Sequence, residues 1–170
     1  MLRFHLAPRG QRSVAQGVPY AGVRRGAAVV EFAVVAMFFG FAITGMIELG
    51  RGLMIKAVLT DSAREGANTG IRSNKTYTDI WNAVDKVLSA NSVPATLTNG
   101  KATLTVTVAT WNSTTQTYGT DTVATSSTFA PNQNDKISVK VAVNASDVSW
   151  LFLSYTGGKV ESEVVTMMKQ

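Results

Sequence analysis

Between Ala27 and Ile47 the chain carries a single charge, Glu31, in 21 positions, and from Phe32 to Ile47 it carries none in 16. A bilayer's hydrocarbon core is about 30 Å thick and a helix rises ~1.5 Å per residue, so about 20 apolar residues cross it. The run is apolar on every side, whereas the surface helix of a soluble protein shows a stripe. It reads as a membrane-spanning helix. A cleaved secretory signal would have an apolar stretch of roughly 7–15 residues closing on a small-x-small site. Here the run passes into Glu48, Leu49, Gly50 and Arg51 with no such site.

Helical spacing continues past the run. Met54, Ile55, Val58, Leu59, Ser62 and Ala63 recur three and four apart, while Arg51, Lys56, Asp61, Arg64 and Glu65 take other faces. Residues 27 to about 68 are therefore predicted as one helix of roughly 60 Å whose far part packs on a domain. Gly66 and Gly70 are expected to end it. The glycines at 40, 45, 50 and 52 would let helices approach closely in a membrane. A second helix is predicted over 76–90, with Ile80, Trp81, Val84, Val87 and Leu88 on one face and Thr78 or Asp79 as N-cap.

Beyond it the period changes to two. Ala102, Leu104, Val106 and Val108 alternate with threonines, Ile137 to Val143 alternates again, and Val160 to Met168 reads as a last strand. Residues 112–135, rich in Ser, Thr and Asn, read as a long exposed loop with a short strand near Thr122–Thr128. The expected fold is α+β: a long N-terminal transmembrane and stem helix, a short helix, and a small antiparallel sheet of three to four strands. Trp150, Leu151 and Phe152, ahead of Gly157 and Gly158, fit either of two roles. Trp150 and Phe152 could contact a partner, or the trio could plug the sheet over the stem.

Charge sets the orientation. Residues 1–26 hold five basic side chains and no acidic one, and the other 144 residues hold eleven of each, so the net +5 belongs to the N-terminal segment. The positive-inside rule keeps that end cytoplasmic and exports the C-terminal part. It also removes a nucleic-acid-binding surface from consideration. Residues 1–25, broken by Pro8 and Pro19, show no periodicity and are expected to be disordered before processing.

Little catalytic chemistry is present. There is no cysteine, and His5 is the only histidine, so disulfides, thiol nucleophiles, Ser–His dyads and His-ligated zinc drop out. Glu161 and Glu163 could hold calcium weakly, but a solvated sheet edge is the simpler expectation. No phosphate-binding loop appears. The expectation is a chain with no catalytic residues, metal, cofactor or small-molecule substrate, and not an enzyme.

Gly26 followed by Ala27, Ala28, Val29, Val30, Glu31 and Phe32 resembles the processing site of type IV prepilins and pseudopilins. Together RRGAAVVEF, IELGRGLM and TDSAREGAN are similar to the TadE-like family, minor pseudopilins of tight-adherence (Flp) pilus systems, over residues 24–70. The resemblance implies that a prepilin peptidase cuts after Gly26 and leaves Ala27 as the new N-terminus. It implies that Glu31, with Phe32 beside it, sets subunit register by pairing with the Ala27 amine of a neighbour. A charge at the membrane centre costs about 2.5–3.5 kcal/mol or more, which a partner would relieve. Arg24 and Arg25 would be topology anchors.

The organisation expected is a cytoplasmic leader over 1–26, a transmembrane and stem helix over 27–70, and an extracytoplasmic α+β domain over 71–170. The implied partners are the prepilin peptidase, other pilins and pseudopilins, inner-membrane pilus assembly proteins and membrane lipid. The implied location is the bacterial inner membrane, single-pass, with a periplasmic or extracellular C-terminal domain and a place in the pilus compatible with it. Two other classes stand beside this one. An uncleaved single-span anchor could display a Thr/Ser-rich binding or adhesive domain with 112–135 as its face. A surface hydrolase would need an Asp/Glu pair that the sequence does not place.

Overall fold

The computed structural model describes residues 22–148 and 158–170. They fall in two compact units divided between Phe41 and Ala42, and helix α1 (Gly22–Gly70) contributes to both. The helix starts at Gly22, several residues earlier than the apolar run suggests, and ends at Gly70.

In the first unit α1 turns its apolar side chains outward on every side, with Val29, Phe32, Phe38, Phe39 and Phe41 all exposed. The helix is long and apolar enough to cross a membrane, and none of its apolar window is buried. A soluble core helix would hide that surface, so this N-terminal helix fits a single-pass membrane anchor.

The second unit joins the rest of α1 to α2 (Tyr77–Ala90), β1 (Ala102–Ala109), β2 (Trp111–Asn112), β3 (Thr117–Tyr118), β4 (Thr122–Ala124), β5 (Lys136–Asn144), α3 (Ala145–Val148), β6 (Lys159–Glu161) and β7 (Val165–Met168). All pairings are antiparallel, in the order β4-β1-β5, with β6 and β7 sharing the far side of β5. Val106 stands opposite Val139 and Ala124, and Val139 opposite Val165. β2 and β3 form a separate hairpin inside the Ser/Thr-rich stretch. The fold is the α+β arrangement that the two periodicities predict.

The predicted last strand is two strands occupying one lane. Between them the Ser162 amide donates to the Val141 carbonyl at 2.8 Å, and the Val141 amide donates to Ser162 Oγ at 2.9 Å. A side-chain oxygen thus replaces a ladder carbonyl where the strand is interrupted, so the buried backbone donor keeps a partner.

The core is built from Leu59, Ala63 and Ala67 of α1, Ile80, Val84 and Leu88 of α2, Val106 of β1, and Ile137, Val139, Val141 and Val143 of β5. The alternation in β5 put those four on one face, and all four are buried. Trp81 packs half-buried against this core, while Met54, expected on the packing face, is exposed.

The N-cap of α2 is Thr76 and not Thr78 or Asp79. Its hydroxyl accepts from the Asp79 amide at 3.3 Å while the Asp79 carboxylate accepts from the Thr76 amide at 2.9 Å, a reciprocal capping box. Thr76→Ala is expected to cost about 1 kcal/mol of stability, read as a lower unfolding midpoint with the sheet unchanged. The hydrogen bonds from Thr76 hold the Asp79 carboxyl below its ordinary value. The carboxylate form is thus favoured in the folded state. This contribution is complete above the ordinary carboxylate pKa and is lost as pH falls through the lowered one. Amide exchange in the first turn of α2 should accelerate in that acid window, and Asp79→Asn should remove the pH step.

Candidate anchoring and assembly site

Arg24 and Arg25 lie in the first turn of α1, and Gly26, Ala27, Glu31 and Phe32 follow on the same helix. A Cβ added at Gly26 would meet nothing, so the backbone there is open to approach. The Gly26–Ala27 bond is helical rather than extended. Glycine in a helix interior costs about 1 kcal/mol relative to alanine, which eases local unwinding into a protease. Glu31 is exposed and has no partner among the described residues, and Phe32 beside it is 73% exposed. A carboxylate and a phenyl ring are therefore presented outward from an apolar helix, with nothing among the described residues to meet the carboxylate. Trp150 and Phe152 lie outside the described residues.

The second motif, IELGRGLM, behaves differently. Glu48 is only 8% exposed, and Arg51 Nε donates to the Val148 carbonyl at 2.9 Å. The sequence placed Arg51 off the packing face of the stem. In the structure it ties α1 to the end of α3, a contact across 97 residues that no local pattern announces. The available signal was two opposite charges three apart closing an apolar run.

The third motif, TDSAREGAN, is a platform of small residues. Ser62, Ala63, Gly66 and Ala67 are all buried, and the Ser62 hydroxyl is satisfied by the Leu59 carbonyl at 2.7 Å. Gly66 does not end the helix. It sits inside α1, where a Cβ would lie 2.7 Å from Val84 Cγ2 and 3.3 Å from Val139 Cγ1. Gly70, the last residue of α1, is nearly as close, at 3.0 Å from Ile80 Cδ1. Small residues at 62, 63, 66, 67 and 70 let α2 and the sheet close onto α1. The charged residues of the motif turn outward, with Arg64 and Asp61 paired at 3.3 Å. Along α1 an open apolar stretch carrying the exposed Glu31 is followed by the inward-turned Glu48 and Arg51 and then by a small-residue platform.

Residues 26–68 match the family model of TadE-like proteins. No curated protein and no solved structure matches the chain. The TadE-like segment holds all three motifs apart from Arg24 and Arg25, and it runs from Gly26 almost to the end of α1. Outside the segment, no group of three His, Asp or Glu converges among the described residues. The carboxylates of β6 and its neighbour diverge: Glu161 pairs with Lys140 at 2.5 Å and Glu163 with Lys56 at 3.7 Å.

Proposed function

We propose that the chain is a non-enzymatic pseudopilin of a Tad pilus assembly, cut by a prepilin peptidase after Gly26 and held in the inner membrane by α1. Arg24 and Arg25 keep the leader cytoplasmic, and the α+β domain is exported. The Ala27 amine released by the cut pairs with Glu31 of a neighbouring pilin or pseudopilin and sets the register between them.

The observation that carries this is Glu31. It is exposed on the most apolar part of the TadE-like segment, five residues beyond Gly26, with no partner among the described residues. A carboxylate in hydrocarbon needs a countercharge, and an α-amine four residues before it on another copy is within the chemistry available.

Zero-length carbodiimide coupling in native membranes tests the pairing. The expected product joins the Ala27 amine of one chain to the Glu31 carboxyl of another, and Glu31→Gln abolishes it. Identical products from wild type and Glu31→Gln would contradict the pairing and favour an uncleaved anchor displaying its Thr/Ser-rich loop.

A further inference from the structure

The sequence ends the apolar run at Ile47 because Glu48 and Arg51 follow. The structure turns both charges inward, since Glu48 is 8% exposed and the half-buried Arg51 donates to the Val148 carbonyl. What α1 presents outward over these two turns is Leu49, Leu53 and Met54, exposed by 68%, 69% and 64%. Burying one such side chain is worth about 1.5–3 kcal/mol, so leaving three adjacent ones in water is a cost the protein would avoid. Leu49, Gly52 and Leu53 also line an open groove of about 310 Å³ together with Lys56 and with Lys159, Val160 and Glu161 of β6, the last paired with Lys140.

We infer that this surface is seated in phospholipid, with Leu49, Leu53 and Met54 in the interfacial layer of the monolayer on the exported side. The inference rests on the membrane-anchor reading of α1. Length supports it: the 21 residues from Ala27 to Ile47 rise ~31 Å and fill a hydrocarbon core of ~30 Å. Untilted, the seven from Glu48 to Met54 add ~10 Å, beyond the roughly 5–8 Å of one interfacial layer, and a tilt of about 25–40° brings Leu53 and Met54 within that layer. Lys56 follows directly on α1 and Lys159 lies across the groove, so two ammonium groups stand where lipid phosphates would be. The ion pair of Lys56 with Glu163 is solvent-exposed on both sides, and such pairs hold too weakly to keep the lysine from phosphate. The base of the exported domain is then fixed at the membrane surface instead of standing off it.

The chain has no cysteine, so single cysteines can carry an environment-sensitive fluorophore in the full-length protein. Phe39→Cys, Leu53→Cys and Ser127→Cys variants, each labelled, would be reconstituted in phosphatidylcholine vesicles with and without brominated lipid. The expected result is blue-shifted emission and bromolipid quenching at 39 and 53, with neither at 127. Quenching at 39 with water-like emission at 53 would overturn the inference and leave the anchor standing. Blue-shifted emission at 53 that bromolipid does not quench, and that fades as the protein is diluted in lipid, would overturn it in favour of a second copy covering the surface. No quenching at 39 would overturn the anchor reading and the inference with it.

Discussion

Replacing Gly66 by leucine is expected to lower the stability of the α+β unit by about 3 kcal/mol or more, a large share of the 5–15 kcal/mol typical of a domain. The Cβ alone would come within 2.7 Å of Val84 Cγ2 and 3.3 Å of Val139 Cγ1. Both valines are fully buried and β-branched, so neither can rotate away cheaply. Alanine at 66 meets the same contact but recovers about 1 kcal/mol of helix propensity, and its net loss should be smaller. Val84→Ala removes the clashing methyl. The Gly66→Ala, Val84→Ala double variant should therefore lose less than the two single variants together. Denaturant unfolding of the full chain in detergent, followed by tryptophan fluorescence, reads the order. A Gly66→Leu midpoint equal to that of wild type would show that α2 and the sheet do not close on α1 as described.

The second large effect is expected at Asp135. Its side chain is buried at 2% exposure, Oδ1 accepts from the Trp111 amide at 2.8 Å, and Oδ2 accepts from the Asn132 amide at 2.7 Å. Its backbone carbonyl accepts from the Lys169 amide at 2.9 Å, beyond β7. One residue thus fixes the start of the Ser/Thr-rich loop, its end and the C-terminal strand. Asp135→Ala strands two amide donors and is expected to cost about 2–4 kcal/mol, since hydrogen bonds to a charged acceptor are worth about 1.5–3 kcal/mol each. Asn can replace only one acceptor, so Asp135→Asn should fall between. Amide exchange at Trp111 and Asn132 should rise in both variants, and unchanged protection there would contradict the assignment.

Legibility in the sequence followed the range of the interaction. The alternation of Ile137 to Val143 and the face of Ile80, Val84 and Leu88 are decided by local period, and the core confirms both. Gly66 was misread as a helix end because glycine's intrinsic preference points that way. The need for close approach by Val84 and Val139 is a tertiary fact that overrides it. The cap moved to Thr76 because the reciprocal bond with Asp79 decides the start of α2, and only three-residue spacing hinted at it. Ser162 bonding Val141, Arg51 reaching Val148 and Asp135 holding Trp111 join residues 21, 97 and 24 positions apart. No window of sequence contains those pairs. The apolar helix was legible because its signal, an uninterrupted apolar run, is local.

The central claim is that the chain enters the pilin pathway by losing its leader after Gly26. It is tested most directly by intact mass and N-terminal sequencing of the protein from native membranes, with and without the prepilin peptidase. The account predicts an N-terminus at Ala27 when the peptidase is present and an uncut chain when it is absent. An uncut leader in peptidase-containing membranes would contradict it.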